Sequence, residues 1–246
     1  MKTFLKTLIA LTLVSAFLLT GCETPDVSSG SSYDVSSTIS DVSSEVSSNS
    51  TNDWNENTQI YDDLTEQKSK EVEANPKTFT SEQLEYYEAI LLPFDKAFGV
   101  ASVPGLDFKY SSQIPSDRLI NFYYVNKFES YLNEHPTSAE KISVPAEEVE
   151  AFVQNHFDVS EDYLHTTERF PYDEQSNTYL FKTEMGFGGM MGYEILNVIE
   201  KENLLIFFCS GGVIGEFATK GCNIIVVDLR NDGYRYICAK SLMKYI

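Results

Sequence analysis

Four stretches decide the fold: YEILNVI at 193–199, LLIFFC at 204–209, NIIVVDL at 223–229 and YRYICA at 234–239. Each is a short run of β-branched, aliphatic and aromatic side chains bounded by turn formers, which is the pattern of strands. Glu200-Lys201-Glu202-Asn203 joins the first pair as a hairpin, and Asn231-Asp232-Gly233 joins the second, where Asp-Gly is a strong turn signal. With TYLFK at 178–182 placed before them, the runs predict a five-stranded antiparallel meander.

Upstream of Tyr172 the hydrophobic period changes from two to three-and-four. Thr80 with Gln83 makes a capping box, and Leu84, Tyr87, Leu91, Phe94 and Phe98 follow on one face, with Pro93 expected to start a turn or kink. A second helix is predicted from Ser116, presenting Ile120, Tyr124, Phe128, Tyr131 and Leu132 and stopping at His135-Pro136. A third starts with Pro145 at its first position, carries Glu147, Glu148 and Glu150 early, and shows a stripe of Val149, Phe152, Val153 and His156. The class is therefore α+β, about three helices followed by the meander, in one domain over 59–246. A curved sheet wrapped on helices, of the cystatin or NTF2-like kind, suits this order, but architecture of that sort carries no function.

The 246-residue chain has 37 acidic and 18 basic side chains, a formal charge of −19. Such a balance argues against nucleic acid as a partner, since phosphate binding needs clustered Lys and Arg. The charge falls into three segments: +2 over residues 1–22, −7 over 23–58 and −14 over 59–246.

The first segment explains the division. Lys2 and Lys6 precede fifteen uncharged residues, Thr7 to Gly21, too short for a span of about 20 apolar residues. The run ends in Leu19-Thr20-Gly21-Cys22, which resembles the bacterial lipobox, with Thr20 a slight departure from its commonest pattern. That resemblance covers residues 1–22 alone. It implies a signal peptide over 1–21, cleavage before Cys22, lipidation of Cys22 on sulfur with palmitate-type chains, and acylation of the new amino terminus. Each acyl chain contributes about 0.8 kcal/mol per buried methylene, so several anchor a protein stably to the cell membrane. The rest of the chain is then expected on its extracytoplasmic face.

Residues 23–58 hold twelve serines, seven acids and no Lys or Arg, and repeat units such as Asp26-Val27-Ser28-Ser29 and Asp41-Val42-Ser43-Ser44. Too little apolar surface is present to offset ordering entropy, so a disordered tether is expected, an O-glycosylated stalk being the alternative.

Two connections of the meander are long and glycine-rich: Thr183 to Gly192, and Ser210 to Gly221. In an alternating sheet both lie at the same end. They carry Phe187, Met190, Met191, Val213, Ile214 and Phe217, which form either an apolar rim for a ligand or a plug for the domain's own core. Cys209 and Cys222 flank the second connection and could face each other in a disulfide; buried free thiols are the other reading, and Cys238 is left over. No phosphate cradle, nucleophile elbow or metal motif occurs, so no catalytic residue, metal ligand or cofactor is assigned. His135 and His156 fall at helix ends, where an imidazole has a structural role. Acid pairs such as Glu147 with Glu150, or Asp158 with Asp162, are expected by chance in so acidic a chain.

Two functional expectations follow. The first is a membrane-anchored lipoprotein whose domain binds a peptide, an envelope component or a small ligand without catalysis. The second is a wall-space hydrolase using carboxylates or a histidine in a cavity between sheet and helices.

Overall fold

The computed structural model describes residues 58–102, 106–184, 192–211, 219–230 and 233–245, all within one compact unit. In chain order the helices are α1 (58–63), α2 (Glu66–Ala74), α3 (Ser81–Phe98), α4 (Ser116–Asn126), α5 (Phe128–Glu134), α6 (Ala146–His156) and α7 (Glu161–Leu164), with a 3-10 turn at Ser111–Gln113. The strands are β1 (Lys141–Pro145), β2 (Tyr172–Asp173), β3 (Thr178–Lys182), β4 (Tyr193–Lys201), β5 (Leu204–Gly211), β6 (Thr219–Lys220), β7 (Cys222–Arg230), β8 (Gly233–Ser241) and β9 (Lys244–Tyr245).

The class is α+β, but the single five-stranded meander is not what forms. Four strands pair antiparallel in the order β4-β5-β7-β8, while β3 leaves that sheet and lies between β1 and β2 in a second one; β6 and β9 form a two-stranded pair. The partner that captures β3 is KISVP at 141–145, whose Ile142 stands opposite Phe181 and Val144 opposite Tyr179. Pro145 is thus the last residue of an edge strand and the N-cap of α6, one position before the helix it was expected to begin. Its missing N–H is harmless at a sheet edge.

The main sheet is covered on both faces, which is why β7 is buried at six consecutive positions, Cys222 to Val227. On one face Ile195, Val198, Phe207, Cys209, Ile225 and Tyr236 join the principal core with α3, α4, α5 and α6. On the other, Leu196, Phe208, Cys222, Ile224, Val226 and Cys238 pack with Leu64 and with Val72 of α2. The N-terminal helices α1 and α2, which the sequence pattern did not announce, supply that second cover.

The capping box of α3 is present: Thr80 Oγ1 accepts from the Gln83 N–H at 3.2 Å, and Gln83 Oε1 accepts from the Thr80 N–H at 3.1 Å. Contrary to the expected turn, α3 continues through Pro93 to Phe98 and ends at Gly99, whose φ of 74° only glycine adopts without strain. Core packing of Leu91, Phe94 and Phe98 on either side of Pro93 offsets the lost hydrogen bond. The second expected helix is divided at Lys127 into α4 and α5. At that break the Asn126 amide donates to Phe122 O at 2.9 Å and to Pro93 O at 3.0 Å, tying α4 to α3.

Candidate functional site

One side of α3 faces the core; its flank does not. Glu85, Glu88, Ala89 and Leu92 lie exposed along that flank with Asp95 at its inner edge. Across from them stand Gly192 and Tyr193, and the space between is a groove of about 460 Å³. The floor carries a buried acid: Asp95 is 5 % exposed, and its Oδ1 accepts from the Val100 N–H at 2.6 Å. Burial raises this carboxyl above the ordinary carboxylate range, with the Val100 N–H opposing the shift. The Tyr193 phenol is raised as well, chiefly by burial and then by Cys209, Asp95 and Glu88, so the ring is neutral and sits among these acids. Pro93 has no N–H, so the Ala89 carbonyl on the groove wall lacks its i+4 donor. Among the described residues the lining contains no Lys or Arg.

Sheet register places this groove at one particular end of the sheet. Tyr193 pairs with Gly211, Ile195 with Cys209, Cys209 with Asn223 and Asn223 with Ser241. The first glycine-rich connection therefore enters, and the second leaves, at one end of the sheet, the first ending at Gly192 beside the groove and the second leaving at Gly211. The first connection starts from the smaller sheet, where the Tyr124 hydroxyl holds the Lys182 and Glu184 carbonyls at 3.2 and 3.0 Å. Phe187, Met190, Met191, Val213, Ile214 and Phe217 lie outside the described residues, as do Cys22 and the tether up to residue 57.

Of the two readings for Cys209 and Cys222, the register rules out the face-to-face disulfide and leaves the buried free thiols. Cys209 stands opposite Asn223 and Cys222 opposite Ser210, a shift of one residue that sends the two side chains to opposite faces of the sheet. Cys209 belongs to the principal core and Cys222 to the smaller cluster, and Cys209, Cys222 and Cys238 are all free and buried. Burial pushes the Cys222 thiol up to about 11 and the Cys238 thiol to about 12, and raises Cys209 as well, so all three are poor nucleophiles.

His135 and His156 each direct Nδ1 at a carbonyl one turn back, Tyr131 O at 3.1 Å and Phe152 O at 2.8 Å. His156 lies among Phe122, Phe152, Tyr234 and Tyr236, where burial lowers its pKa, with Lys127 and Arg235 adding to the shift. His165 is different: its Nε2 is 2.7 Å from Glu150 Oε1, which also accepts from the Tyr179 hydroxyl at 2.9 Å, and its ring stacks on Tyr172 with centroids 3.7 Å apart. Glu150 is thereby bound to His165 and Tyr179 and not paired with Glu147. This knot ties α6, the end of α7, β2 and β3 together.

Sequence reasoning missed the groove acids. One signal could have marked them: Asp95 interrupts the apolar stripe of Leu91, Phe94 and Phe98, and an ionisable group on a buried stripe calls for a partner. Among the described residues no cluster of His, Cys, Asp and Glu could hold a metal ion, and no helix is long and apolar enough to cross a membrane. Comparison with protein-family models, with curated proteins and with solved structures finds no match to this chain. The class defined by fold and site is an α+β domain with an acid-lined groove at the loop-bearing end of its main sheet.

Proposed function

We propose that this chain is a lipid-anchored extracytoplasmic binding protein, held to the cell membrane through acyl chains on Cys22 and displayed on the 23–58 tether. Its domain binds a peptide, an envelope component or a small ligand at the α3–β4 groove. The observation that carries this reading is the open groove of about 460 Å³ at the end of the main sheet where both glycine-rich connections attach. Ligand sites concentrate in concave surfaces next to loops held by a rigid scaffold. For the main sheet and the helices on its principal face, the cystatin or NTF2-like likeness belongs to the proposal; α2 on the opposite face departs from it.

A second reading, a hydrolase of the wall space, rests on the Glu150–His165 pair, in which a buried carboxylate orients an imidazole as in many general bases. The groove favours binding, since none of the histidines lines it. Two measurements test the proposal. Metabolic labelling with an alkyne-tagged palmitate should mark the protein and fail for Cys22→Ala; labelling that survives the substitution overturns the anchor. Hydrogen exchange with envelope extract should protect residues 85–95 and 192–195; protection confined to other segments overturns the site.

A further inference from the structure

We infer that residues 58–75, which carry α1 and α2, form a strap that opens independently of the rest of the domain and so gates the outer face of the main sheet. The strap is weak by its own chemistry. Isolated helices shorter than about 12–15 residues are marginal in water, and α2 has nine, of which only Ser69 and Val72 are buried. Glu71 and Glu73 stand in its last turn with no basic residue beside them, against the carbonyl end of the helix dipole. By contrast α3 has 18 residues, a capping box and a face buried from Tyr87 to Phe98. The polar ties of the strap lie at the surface: the Tyr61 hydroxyl donates to Asp107, Lys240 Nζ donates to Tyr61 O at 3.2 Å, Lys109 pairs with Asp62 at 3.1 Å and Lys244 with Glu66 at 2.7 Å. Exposed pairs of this kind contribute little.

The sheet beneath holds together without the strap. Its four strands stay hydrogen-bonded to one another, and each packs its other face into the principal core. Segments with few buried contacts open at a lower free energy than the whole domain. Lifting the strap bares Phe208, Ile224 and Val226, and with them two thiols. Cys222 Sγ lies 3.9 Å from Glu73 Oε1 of α2, and Cys238 sits in the same cluster near Tyr61 of α1. Cys209 points the other way, into the principal core, so the three cysteines report the two faces of the sheet separately.

The test is pulsed alkylation of the full chain with N-ethylmaleimide across a urea series, read cysteine by cysteine by mass spectrometry, with amide exchange followed over 66–74. In buffer all three domain thiols stay protected. Below the midpoint of global unfolding, Cys222 and Cys238 should be labelled at least about tenfold faster than Cys209, and the amides of 66–74 should exchange in the same range of urea. Leu64→Ala removes a buried contact of the strap and should speed labelling of Cys222 and Cys238 at least about tenfold. Val149→Ala weakens the principal core instead, and should speed Cys209 while leaving Cys222 and Cys238 as they are. Labelling of Cys222 or Cys238 in step with Cys209 or after it in the unsubstituted protein, or an equal effect of Val149→Ala on all three, overturns the inference, because the strap then unfolds only with the domain.

Discussion

Asp95 and Asn223 hold the two polar groups of a single residue: Asp95 Oδ1 accepts from the Val100 N–H at 2.6 Å, and Asn223 Nδ2 donates to the Val100 carbonyl at 2.7 Å. Asn223 also donates to Ser102 O at 3.1 Å, so one carboxamide and one carboxyl fix the chain as it leaves α3. The donor roles are strict. Replacing Asn223 with Asp would set an acceptor against two carbonyls in a site 5 % exposed, and should cost about 2–4 kcal/mol of stability, read as a lowered midpoint in urea.

The Asp95 carboxyl makes an opposite prediction. Its folded pKa is raised by burial, so between the unfolded value near 3.9 and the raised folded value the native state binds more protons, and stability falls as pH rises through that window. Above it the cost is constant. Asp95→Asn keeps the Val100 hydrogen bond and removes the buried charge, and should raise the Tm at neutral pH while flattening this part of the pH profile. A variant no more stable than the wild type would show that the buried charge carries no net cost there.

His156 titrates with the other sign. Burial lowers its pKa, so the unfolded chain binds the extra proton first, and stability is lost as pH falls from about 6.5 toward the lowered value. Its imidazole NMR resonances should titrate below the ordinary histidine range. His156→Phe should remove that component of the acid loss; an unchanged profile would show that other groups produce it.

Glu150 is the acceptor for two donors, the Tyr179 hydroxyl and His165 Nε2, and Tyr179 is fully buried. Glu150→Ala leaves both donors without a partner and should cost about 2–4 kcal/mol, whereas Glu150→Gln retains an acceptor and should cost about 1 kcal/mol. Denaturant titration of the two variants separates the roles of the hydrogen bonds and the charge.

With Cys209 and Cys222 on opposite sheet faces, oxidation has no intramolecular disulfide to form between them without unpairing β5 from β7. The folded domain should show three thiols unreactive toward a disulfide reagent and a Tm insensitive to reductant. Rapid reaction of Cys209 in native buffer would contradict its burial.

How much was legible follows from how local each signal is. The capping box at Thr80 and Gln83, the strand TYLFK and the two hairpins were readable because neighbours within a few residues specify caps and tight turns. The weaker strand at 141–145 was not, because its five residues gain strand character only by pairing with β3, 33 or more residues away. The groove was illegible for the same reason: Glu85, Glu88 and Asp95 belong to α3, while Gly192 and Tyr193 arrive almost a hundred residues later.

By itself the sequence determined the α+β class, the central residues of β3, β4, β5, β7 and β8 and the helical stretches of α3 to α6, because hydrophobic period and turn chemistry act over short distances. Tertiary structure alone decided that β3 joins a second sheet, that Cys209 and Cys222 face apart, that α3 passes through Pro93 and that a buried acid ends beside a tyrosine. Each of those depends on register and burial between distant segments, where a shift of one residue exchanges the faces of a strand.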